Sequence, residues 1–186
     1  MSKVALSKYV PTSQDILLFD TNILIHLFYP VMSSHSDMGD YVRFFQKALN
    51  AKSSLILTAI QLSEFINRCI RFQFDIYRSG LGDNQNSFNF KQDYRGTEDY
   101  CECMNAILDI VRNDILSSFA LVNDRFESIN PESLLLYGFS YDFNDALLVQ
   151  IAEQHNASIV THDRDFANYN TKQKIISNNP TLLMFS

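Results

Sequence analysis

Residues 142–166 read DFNDALLVQIAEQHNASIVTHDRDF, and the fold is decided there. NDALLVQIAEQHN reads as a helix with Asp145 near its start. ASIVTHD follows as a short apolar, β-favouring run that ends in a carboxylate, which predicts a buried strand with Asp163 at its exit. A helix feeding directly into a buried strand is half of a β-α-β unit, and the chain upstream supplies the other half.

Working outward, Asp15 precedes ILLF and then Asp20, a second buried strand that exits on an acid. ILIHLF begins a helix, with Thr21 or Asn22 available as its cap, before SSHSDMGD interrupts with turn residues. A further helix is predicted over Tyr41 to Asn50. SSLILT is the next strand, followed by AIQLSEFINRCIRFQFDIYRS, where Leu62, Phe65, Ile66, Cys69, Ile70 and Ile76 make a helical stripe. GLGDNQNSFNFKQDYRG, from Gly80 to Gly96, is polar apart from its embedded aromatics. It predicts a long loop or the tip of an extended helical hairpin, not a linker between domains.

After Thr97, a cap, the residues Tyr100, Met104, Ile107, Leu108, Val111 and Ile115 mark another helix, which should pack beside the helix carrying Glu64. FALV is a third strand, PESLLLYG a short helix opened by Pro131 and closed by Gly138, and TLLMF a terminal strand. Repeated β-α alternation predicts one α/β domain over residues 1–186, a mostly parallel central sheet covered by helices on both faces. There is no internal repeat and no glycine-rich phosphate motif.

Composition narrows the function. The chain has 186 residues, 46% hydrophobic and 19% charged, which excludes disorder as the dominant state. A net charge of -6 argues against a protein held to nucleic acid by bulk positive charge, while leaving room for a local basic groove. The N-terminal stretch lacks secretory-signal character and no apolar run reaches a membrane span, so a soluble, cytoplasmic protein without membrane contact is expected. Cys69, Cys101 and Cys103 support neither a disulfide framework nor a zinc site. Charge is uneven: residues 97–167 hold three basic and thirteen acidic residues.

Among those acids and the earlier ones, four have informative contexts. Asp20 and Asp163 follow strands, and Glu64 and Asp145 lie near helix starts. In an open α/β sheet these positions border one crevice, at the carboxyl ends of the strands. Shared carboxylates repel each other unless a cation neutralises them, and an all-oxygen donor set favours Mg²⁺ or Mn²⁺. Each acid also has an ordinary structural reading: Asp20 and Asp145 as helix caps, Glu64 as an exposed helical residue, Asp163 as a turn stabiliser.

With these residues in view, the chain resembles the PIN-domain family, a three-layer α/β fold found in bacterial toxin-like metal-dependent ribonucleases and RNA-processing proteins. FDTNILI resembles the family's opening acidic motif, LTAIQLSEFINR its second, and residues 142–166 its closing motifs. The resemblance implies an acidic catalytic and metal-binding set of Asp20, Glu64, Asp145 and Asp163. It places Asn22 and Thr161 beside that set, with Asp142 as an adjacent carboxylate and Asp165 as a turn or cap residue. It further implies Mg²⁺- or Mn²⁺-dependent endonucleolytic hydrolysis of RNA leaving a 5′ phosphate, and a toxin of a toxin-antitoxin pair with an antitoxin protein as partner. Self-association is also compatible with it.

Arg68, Arg71 and Arg78 extend along the helix after Glu64 and are candidate RNA contacts, against a solvated face balanced by Asp75. In the insert, Phe88, Phe90, Tyr94, Lys91 and Arg95 either touch RNA or form a loop with locally buried aromatics. Two other functions fit the same acids: a catalytically weak PIN-like module binding RNA or protein, and a structure-selective DNA nuclease. A DxDxT-type phosphatase fits poorly, because the opening motif is DTN.

Overall fold

The computed structural model describes residues 2–32, 39–82, 86–136, 138 and 141–184. Six parallel strands form one sheet in the order β1-β6-β5-β2-β3-β4. They are β1 Ser2–Ala5, β2 Ile16–Phe19, β3 Ser54–Leu57, β4 Ala120–Leu121, β5 Ser158–Val160 and β6 Lys174–Ser177. The helices are α1 Thr21–Phe28, α2 Gly39–Asn50, α3 Ala59–Ser79, α4 Glu98–Ile110, α5 Leu116–Ser118, α6 Phe143–Gln154 and α7 Pro180–Met184. Between α4 and α5 the chain widens into one π-helical stretch, Val111–Ile115.

Alternation along the strands builds the three layers. Leu17 and Phe19 of β2 point into a core shared with α1 to α4, whereas Leu18 points into the core beneath α6 and α7. All three are fully buried, each burial contributing about 1.5–3 kcal/mol relative to exposure. Because the central strands are covered on both faces, they read as continuous apolar runs and not as alternating ones.

The sequence located the central strands and the long helices but misread both flanks. TLLMF was expected to be a strand; its described part lies instead in α7, where Pro180 takes the first helical position and Asn179 Oδ1 accepts from the Leu182 amide at 3.2 Å. A five-residue apolar run has too little length for periodicity to separate helix from strand. The true sixth strand is KIIS, and SKVA pairs with it at the sheet edge. Neither was expected, since only sheet pairing makes such short, partly polar segments strands. PESLLLYG yields a single 3-10 turn at Pro131–Ser133 and leaves Leu135 and Leu136 exposed; Tyr137 lies outside the described residues. Most of SSHSDMGD, expected as a turn-rich interruption, also lies outside them.

The Gly80–Gly96 insert does not present its aromatics to solvent. Phe90 and Tyr94 are buried and Phe88 is half-buried, all packed on Phe74 and Tyr77 of α3, with Tyr100 of α4 closing the cluster. Base stacking on Phe90 and Tyr94 is therefore excluded: their faces are spent on the junction of α3 and α4. Among the described residues no helix is long and apolar enough to cross a membrane.

Candidate functional site

The site forms where the chain leaves β2 in one direction and β5 lies on the other side, so a crevice opens at the carboxyl ends of these two neighbours. Register puts Phe19 opposite Val160, so Asp20 and Thr161 emerge side by side. The Asp20 amide donates to the Val160 carbonyl at 2.9 Å, and Thr161 Oγ1 donates to Asp20 Oδ2 at 2.9 Å. Asp20 occupies the cap position of α1, ahead of the expected Thr21 or Asn22, yet its side chain makes no capping hydrogen bond. Its Oδ2 is turned toward Thr161 and accepts, at 3.4 Å, from the Asn22 side-chain Nδ2.

Asp163 lies just past β5. Its backbone N–H donates to Thr161 Oγ1 at 2.9 Å, and its Oδ1 caps the next 3-10 turn by accepting from the Asp165 amide at 2.8 Å. Glu64 stands in the second turn of α3, where Thr21 Oγ1 donates to its Oε2 at 2.9 Å. Asp145 is in the first turn of α6, whose cap is Asp142. Asp142 has an exposed side chain that accepts from the Asn144 amide, so its own carboxylate serves the helix start. Asp165 pairs loosely with Arg164 within the 3-10 turn.

Electrostatics ties the four acids together. Burial pushes the Asp20 carboxyl up to about 6, with the Thr161 hydrogen bond opposing and the charges of Asp163 and Glu64 adding to the rise. Asp145 is pushed up to about 8 by burial first, then by repulsion from Asp20, Asp163, Asp142 and Glu64. The four separated segments thus feel one another at the same end of the sheet.

Three supports were not legible beforehand. Gln61 is buried at the start of α3, completes a capping box with Thr58, and donates to the Phe19 carbonyl at 2.5 Å, fixing α3 against the end of β2. The spacing Thr58-x-x-Gln61 was the available signal. Tyr41 of α2, fully buried, donates to the Thr161 carbonyl at 2.9 Å and accepts from the Asn178 amide at 3.1 Å, clamping the exits of β5 and β6. Thr21 was readable only as a cap; its role toward Glu64 needs the tertiary contact.

The sequence profile of the PIN domain family matches residues 17–172, which include all four acids. The chain belongs to the PIN domain family. Within this PIN fold β1 and β6 lie outside the matched span and extend the sheet at one edge. No curated protein matches the sequence significantly. Two solved structures are similar. VapBC2 from Rickettsia felis, bound to a DNA fragment from their promoter, has 16% identity and a TM-score of 0.47, over 87% of this chain and 98% of that one. PAE2754 from Pyrobaculum aerophilum has 16% identity and a TM-score of 0.45, over 97% and 95%.

In kind and charge, the donors of this candidate site suit a hard divalent cation: all are oxygens, and two carboxyls are pushed up to pKa values that a cation would relieve. Among the described residues, no three acidic, His or Cys side chains stand close enough to hold one ion as arranged. The carboxylates form a shared negative field, not a closed cage.

The three arginines of α3 separate. Arg68 donates to Asn22 Oδ1 at 2.7 Å and reaches Glu64 Oε1 at 3.4 Å, so it belongs to the acidic site. Arg71 lies over the Phe90 ring at 4.1 Å, and Arg78 pairs with Asp75 while covering Phe74. Those two face the aromatic insert.

Proposed function

We propose that residues 1–186 act as one PIN-domain unit that hydrolyses RNA phosphodiesters endonucleolytically with Mg²⁺ or Mn²⁺. The observation that carries this reading is the placement of Asp20 and Asp163 just past the paired strands β2 and β5, with Glu64 held by Thr21 and Asp145 in the first turn of α6, an arrangement in which the neighbouring acids help to raise the Asp20 and Asp145 carboxyls. Asp20 and Asp145 are the principal candidate ligands, with Glu64 and Asp163 completing the set. A divalent cation held by these residues would supply positive charge at the scissile phosphate and would lower the pKa of a water bound to it.

The chain's own residues prepare that chemistry. Thr161 engages Asp20 Oδ2, which fixes the carboxylate's orientation and leaves Oδ1 available. Thr21 does the same for Glu64 at Oε2. Burial and the neighbouring acids push the Asp145 carboxyl up to about 8, so its charged form is the one that a bound cation would favour most. Arg68 neutralises part of the field and offers a guanidinium to an approaching phosphate. No side chain has to act as nucleophile, consistent with the absence of an activated Ser, Cys or Lys among these groups.

One observation favours a second reading. Because Arg68 already pairs with Glu64 and Asn22 and the acids do not close into a cage, a PIN module that binds RNA or protein without turnover fits the same site. The test is cleavage of single-stranded RNA, duplex RNA and flapped DNA by purified protein with Mg²⁺ or Mn²⁺ and with chelator. Metal-dependent RNA cleavage lost in Asp20→Asn and Asp145→Asn is expected. Full cleavage by the folded variants would overturn the mechanism, exclusive cleavage of flapped DNA would replace the substrate, and absent metal binding would favour the module.

A further inference from the structure

Arg71 and Arg95 converge on one ring. Their guanidinium carbons stand 4.1 and 5.3 Å from the Phe90 centroid, so they lie no further apart than the sum of those distances. Two elements bring them there. Arg71 projects from α3, and Arg95 is folded back by a turn in which its amide donates to the Phe90 carbonyl at 3.2 Å. Two like charges held within that span repel each other weakly in water, and a neighbouring anion would offset the repulsion.

No such anion is built in. Among the described residues Arg71, Arg95 and Arg125 make no ion pair, while Arg43, Arg68, Arg78, Arg112 and Arg164 all do; Arg71 and Arg95 are the two of these that share a ring. Asp93, the nearest acid in sequence to Arg95, uses its carboxylate on the Asn89 amide. Both guanidiniums are on exposed residues, and the Phe90 ring they share is buried, so it anchors the pair without itself being offered to a ligand.

Position adds the function. Glu64, Arg68 and Arg71 follow one another at i, i+4 and i+7 on α3, hence on one face, and Arg71 is about 10 Å along the helix from Glu64. A strand whose scissile phosphate meets the acids would carry neighbouring phosphates past Arg68 toward this pair. Guanidiniums match phosphate oxygens through paired N–H donors, and a phosphodiester carries the charge that the pair lacks.

We propose that Arg71 and Arg95, mounted on Phe90, form a phosphate-binding clamp that holds the single-stranded RNA backbone beside the acidic site. The choice of RNA rests on the proposed function; the clamp as an anion site rests on the geometry alone.

The test is equilibrium binding of a fluorescent single-stranded RNA to full-length protein in chelator, across a salt series. Binding in chelator reads the clamp independently of cleavage. The double variant Arg71→Gln/Arg95→Gln should lose affinity by on the order of tenfold, and its slope of log affinity against log salt should flatten by about 0.7 per lost contact. Arg71→Lys/Arg95→Lys keeps the charge and should keep the slope, and Arg112→Gln should bind as wild type; circular dichroism and thermal melting check the fold of each. Unchanged affinity and slope in the Gln variant would overturn the clamp, as would an equal loss in the Lys variant or in Arg112→Gln. Oligoglutamate displacing the RNA at equal charge would assign the pair to an acidic protein partner and also overturn it. Loss of binding in the Gln variant with no cleavage by wild type under any metal would uphold the clamp while rejecting the nuclease reading. Cleavage with an intact Gln-variant affinity would do the reverse.

Discussion

The two ends of α3 handle polarity in opposite ways. At its start, polar groups go inside: Asp20, Thr58, Gln61 and Thr161 are at most 3% exposed, and each is hydrogen-bonded to another group of the crevice. At its far end the segment richest in Asn, Gln and Gly sends its aromatics inside, with Lys91, Asp93 and Arg95 left in water. The difference teaches where the molecule tolerates an energetic cost. Burying the Asp20 carboxylate is unfavourable, and it is sustained because the Thr161 hydroxyl and the Asn22 side-chain amide donate to it. The insert carries no such cost and behaves as a piece of core.

The comparison breaks most sharply at the acids. Asp145→Asn is expected to reduce RNA cleavage by on the order of a hundredfold or more while the protein stays folded, because ligand charge is lost with little change in side-chain volume. Cleavage assays alongside thermal melting check this, and an active, folded variant would mean that the buried carboxylates serve structure alone. The insert should fail in the other direction. Phe90→Ala is expected to cost about 3–5 kcal/mol in urea unfolding, as for a buried aromatic. A cost below about 1 kcal/mol would show that the insert is peripheral after all. For the same reason a short loop replacing residues 80–96 would uncover Phe74 and Tyr77, so loss of function in such a variant could not be ascribed to substrate choice.

A smaller effect sharpens the acidic side. Asp20 near 6 and Asp145 near 8 both lie above the ordinary carboxyl value of about 3.9 kept in the unfolded chain. The folded protein therefore binds more protons than the unfolded one across that interval, and metal-free stability falls as pH rises from about 4 to 8. Asp145→Asn should be more stable than wild type at pH 8 by about 1–3 kcal/mol and show a flatter pH profile. Thermal or urea unfolding in chelator measures it; parallel pH profiles for the two proteins would contradict a shared electrostatic site. The smallest expected change is at Tyr41. Tyr41→Phe keeps the ring packed but removes the donor to the Thr161 carbonyl, at a cost of about 1–2 kcal/mol. With Thr161 less firmly placed, the Asp20 carboxyl should titrate higher still, since its hydrogen bond to Thr161 holds it down. NMR titration of the Asp20 carboxyl reads this, and no change would limit Tyr41 to packing.

Read alone, the sequence located what is local. ILLF, SLIL and SIV are apolar runs bounded by polar residues, and the stripes of α3 and α4 carry their own periodicity, so strand and helix were legible without knowing what they pack against. The four acids could be proposed as a set because Asp20 and Asp163 follow strands, Glu64 and Asp145 lie near helix starts, and the segments carrying them fall within the span that matches one family. It was less informative wherever an element is short: KIIS is a strand because β5 offers it a hydrogen-bonding edge, and TLLM is helical because Pro180 and Asn179 start a turn there.

Only the tertiary structure decided how these acids are held and which arginine belongs where. Glu64, Arg68 and Arg71 share a face by helical spacing alone, but the contacts of Arg68 with Asn22 and of Arg71 with Phe90 join residues 46 and 19 positions apart. Likewise the sequence left Phe90 open between contact with RNA and local burial, because its neighbours are polar; the burial depends on a cleft made by two helices. Periodicity and composition are sums over near neighbours in the chain; hydrogen-bond partners, pKa values and ring contacts depend on distances in space, which the parallel sheet sets by bringing β2 and β5 together across 138 residues of chain.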